Sequence, residues 1–443
     1  MNTFPDVLPS DMMQSISIMS DVEDVNDAPT FHYAKSQFDF MKCRIIHPEH
    51  VQKVIEGIKH SLDNEVKITG LAKNMKKKGI KSEYFDGNDF KFPNLTVFLK
   101  NMQNQKEKDS NFTSFDRRSD LTLFMTKFQD KLNVYKYLGR TDINGFYSSI
   151  YTHAVPWLVW GRKVSKGLVD QKAWPNRLEA CYRACICKET VSLPIGQEIF
   201  SDLAEFILLC LEINIKSKLG VLLQNIEVVR FDDAFYFFGD SKDDINGGLI
   251  VTMQSIGEFK FSLNASKTGI RDIPDKRPNL LHLSDIDIDI VSDLLLKEKD
   301  SLTHLFLLDS HFFKWIVLES DRLVKSSTER YALFSGLLKE PGSHLYIFQR
   351  ISQPDYDRAT CQLLIDKWVS KCKYLYQYIT SAQLIWVLWI IHKKNLNYET
   401  SWLESLSTLN HSLIDLLADI IRSDFNEEKG ELVYGWFKFE INK

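Results

Sequence analysis

The sequence predicts an α+β fold, in which long helices pack against an antiparallel sheet and a helical region follows. In NIEVVRFDDAFYFFGD (225–240), an apolar run leads into two adjacent acids and an aromatic run leads out. That order is typical of a β-hairpin whose turn contains the acids. From about residue 288 onward, apolar residues recur at three- and four-residue spacing with little Gly or Pro, which predicts helices.

The same periodicities predict the individual elements and their division into domains. Strands are expected at 138–144, 226–231 and 235–238, and helices near 174–188 and 198–219. Residues 1–30 contain six acids and no Lys or Arg, so we expect an arm outside the core there. The expected regions are the acidic N-terminal arm (1–34), a region of alternating helical patterns (35–139), the central region with the strands (140–287) and the helical C-terminal region (288–443).

Composition excludes few functions. A chain of 443 residues with 44% hydrophobic and 26% charged residues is ordinary for a soluble protein of two or three domains. The net charge of −4 gives no global attraction to nucleic acid, so any such binding must come from local patches. The longest apolar run, AQLIWVLWIIH (382–392), is too short to span a bilayer, and we expect a buried helix and no membrane association. The N-terminus lacks the basic and apolar regions of a secretory signal.

The seven cysteines show no spacing of a disulfide framework, which fits reduced thiols in a cytosol. Three of them cluster in RLEACYRACICKE, namely Cys181, Cys185 and Cys187. With no fourth ligand nearby, packed thiols on a helix are favoured over a zinc site.

Three acids form the candidate chemical centre. Asp232 and Asp233 stand at the predicted hairpin turn, and Asp142 closes a short strand-like segment. Carboxylates from two segments repel each other unless a cation lies between them, and Mg²⁺ binds through a few carboxylates plus substrate phosphates. Two such ions clamp the attacking and leaving oxygens of a phosphoryl displacement, so these acids predict a nucleotidyl transferase. Two adjacent acids in an ordinary turn are the alternative.

Four segments in order resemble a reverse transcriptase, and most of all the bacterial defence-associated abortive-infection (AbiK and AbiA type) and DRT groups. The first, TDINGFYSSIYTHAVPWLVWGRK (141–163), is similar to motif A of these proteins. The resemblance implies that Asp142 is a metal ligand, assisted by the carbonyl of Ile143. Tyr147 falls where the family places an aromatic gate against the 2′-hydroxyl of a ribonucleotide, and Phe146 is the next candidate.

The second segment, VSLPIGQEIFSDLAEFILLCLE (191–212), resembles motif B, whose turn and helix contact the template and the incoming nucleotide in the family. The resemblance implies such contacts at Gly196 and Gln197. The chain departs from the family pattern at two positions, because Gln197 stands where Pro is frequent and Phe200 where Ser is frequent.

The third and fourth segments resemble motifs C and D. In Arg230-Phe231-Asp232-Asp233, the resemblance makes Asp232 the second metal ligand and Asp233 its supporting acid. Arg230 departs from the pattern, since the family usually has an aromatic residue there. In FKFSLNASKTGI (259–270), Lys267 matches a family lysine near the triphosphate, which is a candidate to protonate the pyrophosphate leaving group.

The resemblance implies a right-hand polymerase with fingers at 35–139, a palm at 140–287 and a helical domain at 288–443. No clear copy of the fingers motif that cradles the triphosphate is legible. Four residues are candidates by position alone, and a basic stretch (71–82) suits either phosphate contacts or a solvated face. The four candidates are Arg117, Arg118, Lys127 and Lys131. In the helical region two interpretations are open for Tyr374, Tyr376 and Tyr378. One is a protein primer for DNA synthesis, and the other is ordinary packing in the core.

The function implied by the resemblance is RNA-directed DNA synthesis from dNTPs in antiphage defence, inside a bacterial cytoplasm. The implied cofactor is a pair of Mg²⁺ ions, with Mn²⁺ as a substitute. The implied partners are an RNA template such as a non-coding RNA, the DNA product, and a second reverse transcriptase from the same locus or further copies of this chain. Template-independent synthesis is also open. Two alternatives are a catalytically silent polymerase-like scaffold that binds RNA, and a retron or group II intron type of enzyme.

Overall fold

In this computed structural model the chain divides into two units. The central unit joins residues 48–194 to 198–277, and the terminal unit joins 1–47 and 195–197 to 278–443. The structure describes residues 8–19, 29–34, 40–63, 67–69, 85–86, 89–91, 111–115, 121–167, 173–186, 188–195, 198–273, 316–318, 320, 326–339, 341–372, 381–409, 411–426, 430–434 and 437–441. No helix within these ranges is long and apolar enough to cross a membrane.

The strands of the described residues are short, and most of them pair antiparallel. They are β1 (Ile16–Ile18), β2 (Thr30–Ala34), β3 (Phe40–Arg44), β4 (Lys67–Thr69), β5 (Phe85–Asp86), β6 (Asp89–Lys91), β7 (Phe112–Phe115), β8 (Tyr137–Asp142), β9 (Ile226–Phe231), β10 (Ala234–Gly239), β11 (Gly269–Asp272), β12 (Gly430–Tyr434) and β13 (Phe437–Ile441).

The helices range from 4 to 22 residues and are spread over both units. They are α1 (Met12–Ser15), α2 (Pro48–Asp63), α3 (Leu121–Val134), α4 (Phe146–Ser149), α5 (Ala154–Trp160), α6 (Arg162–Ser165), α7 (Trp174–Ala184), α8 (Glu198–Leu219), α9 (Lys242–Gly257), α10 (Ser327–Leu337), α11 (His344–Ile351), α12 (Arg358–Cys372), α13 (Ser381–Lys394), α14 (Thr400–Ser405) and α15 (Ser412–Asn426).

A five-stranded mixed sheet, in the order β11-β8-β10-β9-β7, is the core of the central unit. β8, β9 and β10 pair antiparallel, as does the edge strand β11 with β8, whereas β7 runs parallel to β9. All six residues of β10 are buried, which fits the unbroken aromatic run of this middle strand. The strands and helices predicted around the paired acids are confirmed, and the fold is α+β.

Helices cover both faces of this sheet. On one face α9 approaches so closely that a Cβ atom at Gly139 would lie 2.4 Å from Cγ2 of Ile245, so glycine is required there. On the other face Phe124 and Phe128 of α3 pack against the sheet, with the Phe124 and Phe231 ring centroids 4.5 Å apart. The side chain of Ser241 accepts a hydrogen bond from the amide of Asp244 and so begins α9.

The domain expectations differ from the observed grouping at residue 139. The strand β7 and the helix α3 lie within the region expected to form fingers, yet they belong to the same sheet and core as the predicted palm. The sequence could not show this, because β7 pairs with β9, which is more than one hundred residues later in the chain.

The N-terminal residues also differ from the expectation of a separate arm. β1 pairs antiparallel with β13, and Ile16 and Met12 are buried in the terminal unit. The described part of the terminal unit contains the helices α10 to α15 and the β12–β13 hairpin. The run from Ala382 to Ile391 is a fully buried part of α13, as the composition predicted.

Candidate active site

Asp142 and the Asp232-Asp233 turn lie side by side at one end of the central sheet. Asp142 is the last residue of β8 and pairs with Ala234, the first residue of β10. The amide of Ile143 donates a hydrogen bond of 3.2 Å to the carbonyl of Asp233. The backbone therefore brings together the acids that the sequence assigned to one centre from two distant segments.

The turn between β9 and β10 consists of the two acids alone, since Phe231 pairs directly with Ala234. Asp232 has a φ of 49°, in the left-handed region that L-residues other than Asn and Asp rarely adopt. An aspartate at this position therefore suits the backbone conformation of the tight turn as well as its chemistry.

The carboxylate of Asp142 is buried and its two oxygens differ. The residue is 5% exposed, and Oδ2 lies 2.5 Å from Nζ of Lys267, whose side chain is 45% exposed. Oδ1 is buried and has no hydrogen-bond partner among the residues that the structure describes. A buried carboxylate oxygen without a donor is costly, so this atom is suited to receive a cation or a donor from a ligand.

Lys267 reaches Asp142 because the segment after α9 folds back onto the end of β8. The amide of Asn264 donates to the carbonyl of Asp142 at 2.9 Å, and the hydroxyls of Thr268 and Thr141 lie 2.7 Å apart. The side chain of Asn264 caps the 3₁₀ turn Ala265–Lys267. These contacts bring Lys267 to Asp142, while the proton-transfer role that the resemblance assigns to Lys267 stays a prediction.

The donor set fits Mg²⁺ in part. Asp142 supplies an unpartnered buried oxygen, and Asp232 and Asp233 supply carboxylates on the neighbouring turn. Within the described ranges no three His, Cys, Asp or Glu side chains are gathered closely enough to hold a metal. Mg²⁺ does not require three, because it is usually held by one or two carboxylates together with water and substrate phosphates.

Arg230 lies beside the same turn. Its side chain is on the opposite face of the sheet from that of Phe231, because the two residues are neighbours in one strand. It is fully buried, and its NH1 donates to the carbonyl of Asp232 at 2.8 Å. NH2 and Nε bind Glu205 at 2.6 Å and Glu212 at 3.0 Å, both on α8. Arg230 therefore connects the helix α8 to the paired acids.

Sequence reasoning assigned no role to Glu205 or Glu212. A signal for them was present, because two acids seven residues apart lie on one face of a helix and interrupt its apolar middle section (203–213). Arg230 is likewise the only cation within a strand of buried residues. Buried charges of opposite sign must find each other, so the three could have been paired from sequence.

Phe146 and Tyr147 occupy different environments within α4. Phe146 is buried, and its ring centroid lies 5.8 Å from that of Phe261. Tyr147 is half-buried, with its ring 5.5 Å from that of Phe146. Phe146 is thus a core residue, and of the two aromatic candidates Tyr147 is the one with a surface available to a ligand.

The segment that follows Tyr147 is anchored by one buried acid. Glu179 of α7 accepts a hydrogen bond from the hydroxyl of Thr152 at 3.2 Å, and its carboxylate lies 2.7 Å from Nδ1 of His153. The hydroxyl of Tyr182 donates to the carbonyl of Thr152. The string SIYTH therefore has a structural explanation, since its Thr and His attach motif A to a neighbouring helix.

Motif A also contacts the start of the motif B segment. The amide of Leu193 donates to the carbonyl of Tyr147, and that of Ser192 to the carbonyl of Ile150, both at 2.8 Å. Gly196 and Gln197, the residues expected to contact template or nucleotide, lie outside the described residues. Phe200 is fully buried, so it acts in the core and not as a ligand contact.

Of the four residues proposed by position for triphosphate binding, two lie in the described helix α3, namely Lys127 and Lys131. Arg117, Arg118 and the basic stretch 71–82 lie outside the described residues. Lys131 forms an ion pair with Glu227, near the start of β9. From there to the Asp232 turn at the other end is about 16 Å at the usual rise of a strand, so Lys131 is too distant for the assigned role.

The clustered cysteines are packing residues in the described part of the chain. Sγ of Cys185 lies 3.7 Å from the carbonyl of Cys181 and 3.6 Å from that of His50, and burial raises the pKa of Cys185 to about 12. A Cβ atom at Gly57 would lie 2.5 Å from Sγ of Cys181, because α2 packs closely on α7. Cys187 and the tyrosines 374, 376 and 378 lie outside the described residues.

Comparison with known proteins identifies no family from sequence: no family model and no curated protein matches the chain. Among solved structures, the chain is similar to telomerase from Candida tropicalis in complex with a TWJ fragment of telomeric RNA. The TM-score is 0.34 at 12% identity over 92% of this chain and 65% of the telomerase chain, so this chain spans just under two thirds of that protein. For apo telomerase from the same organism the TM-score is 0.33 at 11% identity, over 92% and 71% of the two chains. Scores of this size lie below the level that marks a common fold.

Proposed function

We propose that this chain is a reverse transcriptase, an RNA-directed DNA polymerase that adds dNTPs to a growing strand. The observation that carries the proposal is the placement of Asp142 against the Asp232-Asp233 turn, with a buried, unpartnered Oδ1 on Asp142. A structural turn with exposed acids has no need for a buried carboxylate from another strand beside it. The order of the four motifs along the chain supports the same conclusion.

Asp142 and Asp232 would hold two Mg²⁺ ions, with Asp233 in support and Mn²⁺ as a substitute. The ions would supply charge stabilisation for the attacking and leaving oxygens of the displacement. A 3′-hydroxyl loses its proton to water as its oxygen forms the new bond to the α-phosphorus, and the bond from that phosphorus to the bridging oxygen of pyrophosphate breaks. Lys267, whose Nζ lies 2.5 Å from Oδ2 of Asp142, would give a proton to the departing pyrophosphate.

The biological setting in the proposal comes from the motif resemblance alone. We propose synthesis inside a bacterial cytoplasm as part of antiphage defence, with a non-coding RNA as template. A second reverse transcriptase from the same locus, or further copies of the chain, would complete the assembly.

The test is incorporation of labelled dNTPs by the purified full-length chain in Mg²⁺, with an RNA template and a DNA primer, and separately without added nucleic acid. Sequencing of co-purified nucleic acid before and after nuclease treatment identifies a native template. The variant carrying both Asp142→Asn and Asp232→Asn measures background. We expect product that depends on both acids, and product at the same level in that variant would overturn the proposal.

A matched control is available in Asp272→Asn. Asp272 lies at the end of β11 that is opposite to the candidate site, where it forms an exposed ion pair with Lys242 at 2.8 Å. Its substitution removes an acid from the same sheet and leaves the turn untouched. We therefore expect wild-type incorporation from Asp272→Asn, which separates loss of the site from a general effect of charge.

A further inference from the structure

Arg230 is held by three acceptor groups in a fully buried position. Its guanidinium donates through NH1 and NH2 to the two oxygens of Glu205 at 3.1 and 2.6 Å, and through Nε to Glu212 at 3.0 Å. NH1 also donates to the carbonyl of Asp232 at 2.8 Å. The same planar group thus binds a helix by its carboxylates and the candidate catalytic turn by its backbone.

The charges of this cluster are balanced within the core. Glu212 also pairs with Lys216, one helical turn later on α8, at 2.9 Å. Burial lowers the pKa of Arg230, but the charges and hydrogen bonds of Glu205 and Glu212 raise it by more, so the net pKa is raised and the group is charged at every accessible pH. A buried ion-pair network adds little stability over a well-packed apolar core, so stability alone gives a weak reason for these residues.

We propose that Arg230 is a positioning residue, which fixes the Asp232 peptide so that the Asp232 carboxylate is directed to the site beside Asp142. This inference rests on the proposed function of that site. Asp232 adopts a left-handed conformation that its neighbours must maintain, and the bond from Arg230 to its carbonyl is a direct restraint on it. The cluster anchors this restraint to α8, the helix of the motif B segment.

Arginine is required at position 230 because the hydrogen bonds described above depend on the planar shape of the guanidinium group. A planar fork donates from three nitrogens in fixed directions, whereas lysine donates from one atom. Lysine at position 230 could keep an ion pair with Glu205 or Glu212 but could not bind both of them and the Asp232 carbonyl in one plane. Arg230→Lys therefore retains the buried charge and removes the restraint.

The experiment compares Arg230→Lys and Glu205→Gln with the wild-type full-length chain in three measurements. Hydrogen exchange is followed in the peptide that covers residues 231–234, Mn²⁺ binding is titrated by electron paramagnetic resonance, and the kinetics of dNTP incorporation are measured. We expect faster exchange at the turn, Mn²⁺ affinity lowered by about 10-fold or more, and a lower kcat with an unchanged KM for dNTP. The Arg230→Lys substitution should have no further effect on Mn²⁺ affinity when Asp232 is already Asn.

Leu211→Ala is the control for a general loss of stability, since Leu211 is a fully buried apolar residue of α8. At a temperature where both variants are folded, it should leave exchange at the turn and Mn²⁺ affinity as in wild type. Equal exchange and equal Mn²⁺ affinity in Arg230→Lys and wild type would overturn the positioning role even if both proteins synthesise DNA. A wild-type chain that makes no product while Arg230→Lys still loosens the turn would overturn the proposed function and leave the positioning role of Arg230 standing.

Discussion

Nζ of Lys267 lies 2.5 Å from Oδ2 of Asp142, so a half-exposed ammonium group neutralises a buried carboxylate. The sequence predicted that a cation must accompany the acids, and in this structure the cation next to Asp142 is Lys267. One lysine therefore has two possible partners in the proposed reaction, the Asp142 carboxylate and the departing pyrophosphate. The assigned proton donor is therefore already in contact with one of the acids.

Lys267→Met should lower the rate of dNTP incorporation by about 100-fold, because the variant loses the ammonium group that is assigned to protonate the leaving group. Lys267→Arg should recover little of the lost rate, since a guanidinium group keeps its proton at neutral pH. The measurement is single-turnover incorporation with a fixed primer and template. Lys242→Met, which breaks the exposed pair of Lys242 and Asp272 at the far end of the sheet, should retain the wild-type rate. A Lys267→Met variant with the wild-type rate would exclude the proton-transfer role.

Asp142→Asn and Asp232→Asn, made one at a time, should each reduce incorporation by more than about 100-fold, which exceeds the usual effect of a supporting residue. Each substitution preserves shape and removes the charge on which metal binding depends. Asp233→Asn should cause a smaller loss, because Asp233 is assigned a supporting role. Circular dichroism and thermal unfolding verify that each variant is folded. If either Asp142→Asn or Asp232→Asn is active within a few-fold of wild type, the site assignment is wrong.

Tyr147→Ala should admit ribonucleotides that the wild-type chain rejects. Tyr147 is half-buried against Phe146, five residues after Asp142, and its truncation removes the aromatic ring that the resemblance assigns to exclusion of a 2′-hydroxyl. The ratio of dNTP to rNTP incorporation is the measurement. Phe146→Leu is the paired control, since Phe146 packs against Phe261 and its change should alter stability without altering the ratio. An unchanged ratio in an active Tyr147→Ala variant would place the gate elsewhere.

The hairpin with its acids was predictable because strand periodicity and a turn are local signals. Ile226 to Phe231 and Phe235 to Phe238 are apolar or aromatic at the buried positions of β9 and β10, with the exception of Arg230. The sequence predicted that the three acids lie close together, but it did not predict that Asp142 pairs with Ala234. The register of this pairing depends on side-chain packing between distant segments, such as Gly139 against Ile245, that no local pattern contains.

The contacts of Lys393 and Lys394 in the terminal unit also could not be predicted from the sequence, because they join segments that are distant in the chain. Lys393 and Lys394 lie near an aromatic stretch, a combination that suits binding of a single strand by charge and stacking. In the structure Lys393 pairs with Asp11, and Nζ of Lys394 donates to the carbonyls of Gln353 and Tyr356 at 2.6 and 2.9 Å. Both are structural contacts within the terminal unit, and the partner of Lys393 lies almost at the opposite end of the chain.

The contact of Asp11 with α13 predicts an acid-dependent loss of stability in the terminal unit. Asp11 accepts a hydrogen bond from Nε1 of Trp389 at 2.9 Å, pairs with Lys393 and caps the helix α1 that precedes β1. Burial raises the pKa of Asp11, but the hydrogen bonds from Lys393 and Trp389 and the charge of Lys393 lower it by more, so the folded-state pKa lies below its ordinary value.

Because the folded-state pKa of Asp11 is depressed, its contribution is complete above the unfolded pKa of about 3.9 and is lost as the pH falls through the folded value. Asp11→Asn keeps a side-chain oxygen that can cap α1 and removes only the charge, so it should lower the Tm of the terminal unit by about 2 °C at pH 6, as expected for loss of a partly exposed ion pair. The difference from wild type should shrink below pH 4 and vanish near pH 2. Thermal unfolding followed by tryptophan fluorescence across this range is the measurement. A difference that is the same at pH 6 and pH 2 would show that the carboxylate charge of Asp11 does not hold the N-terminal segment in place.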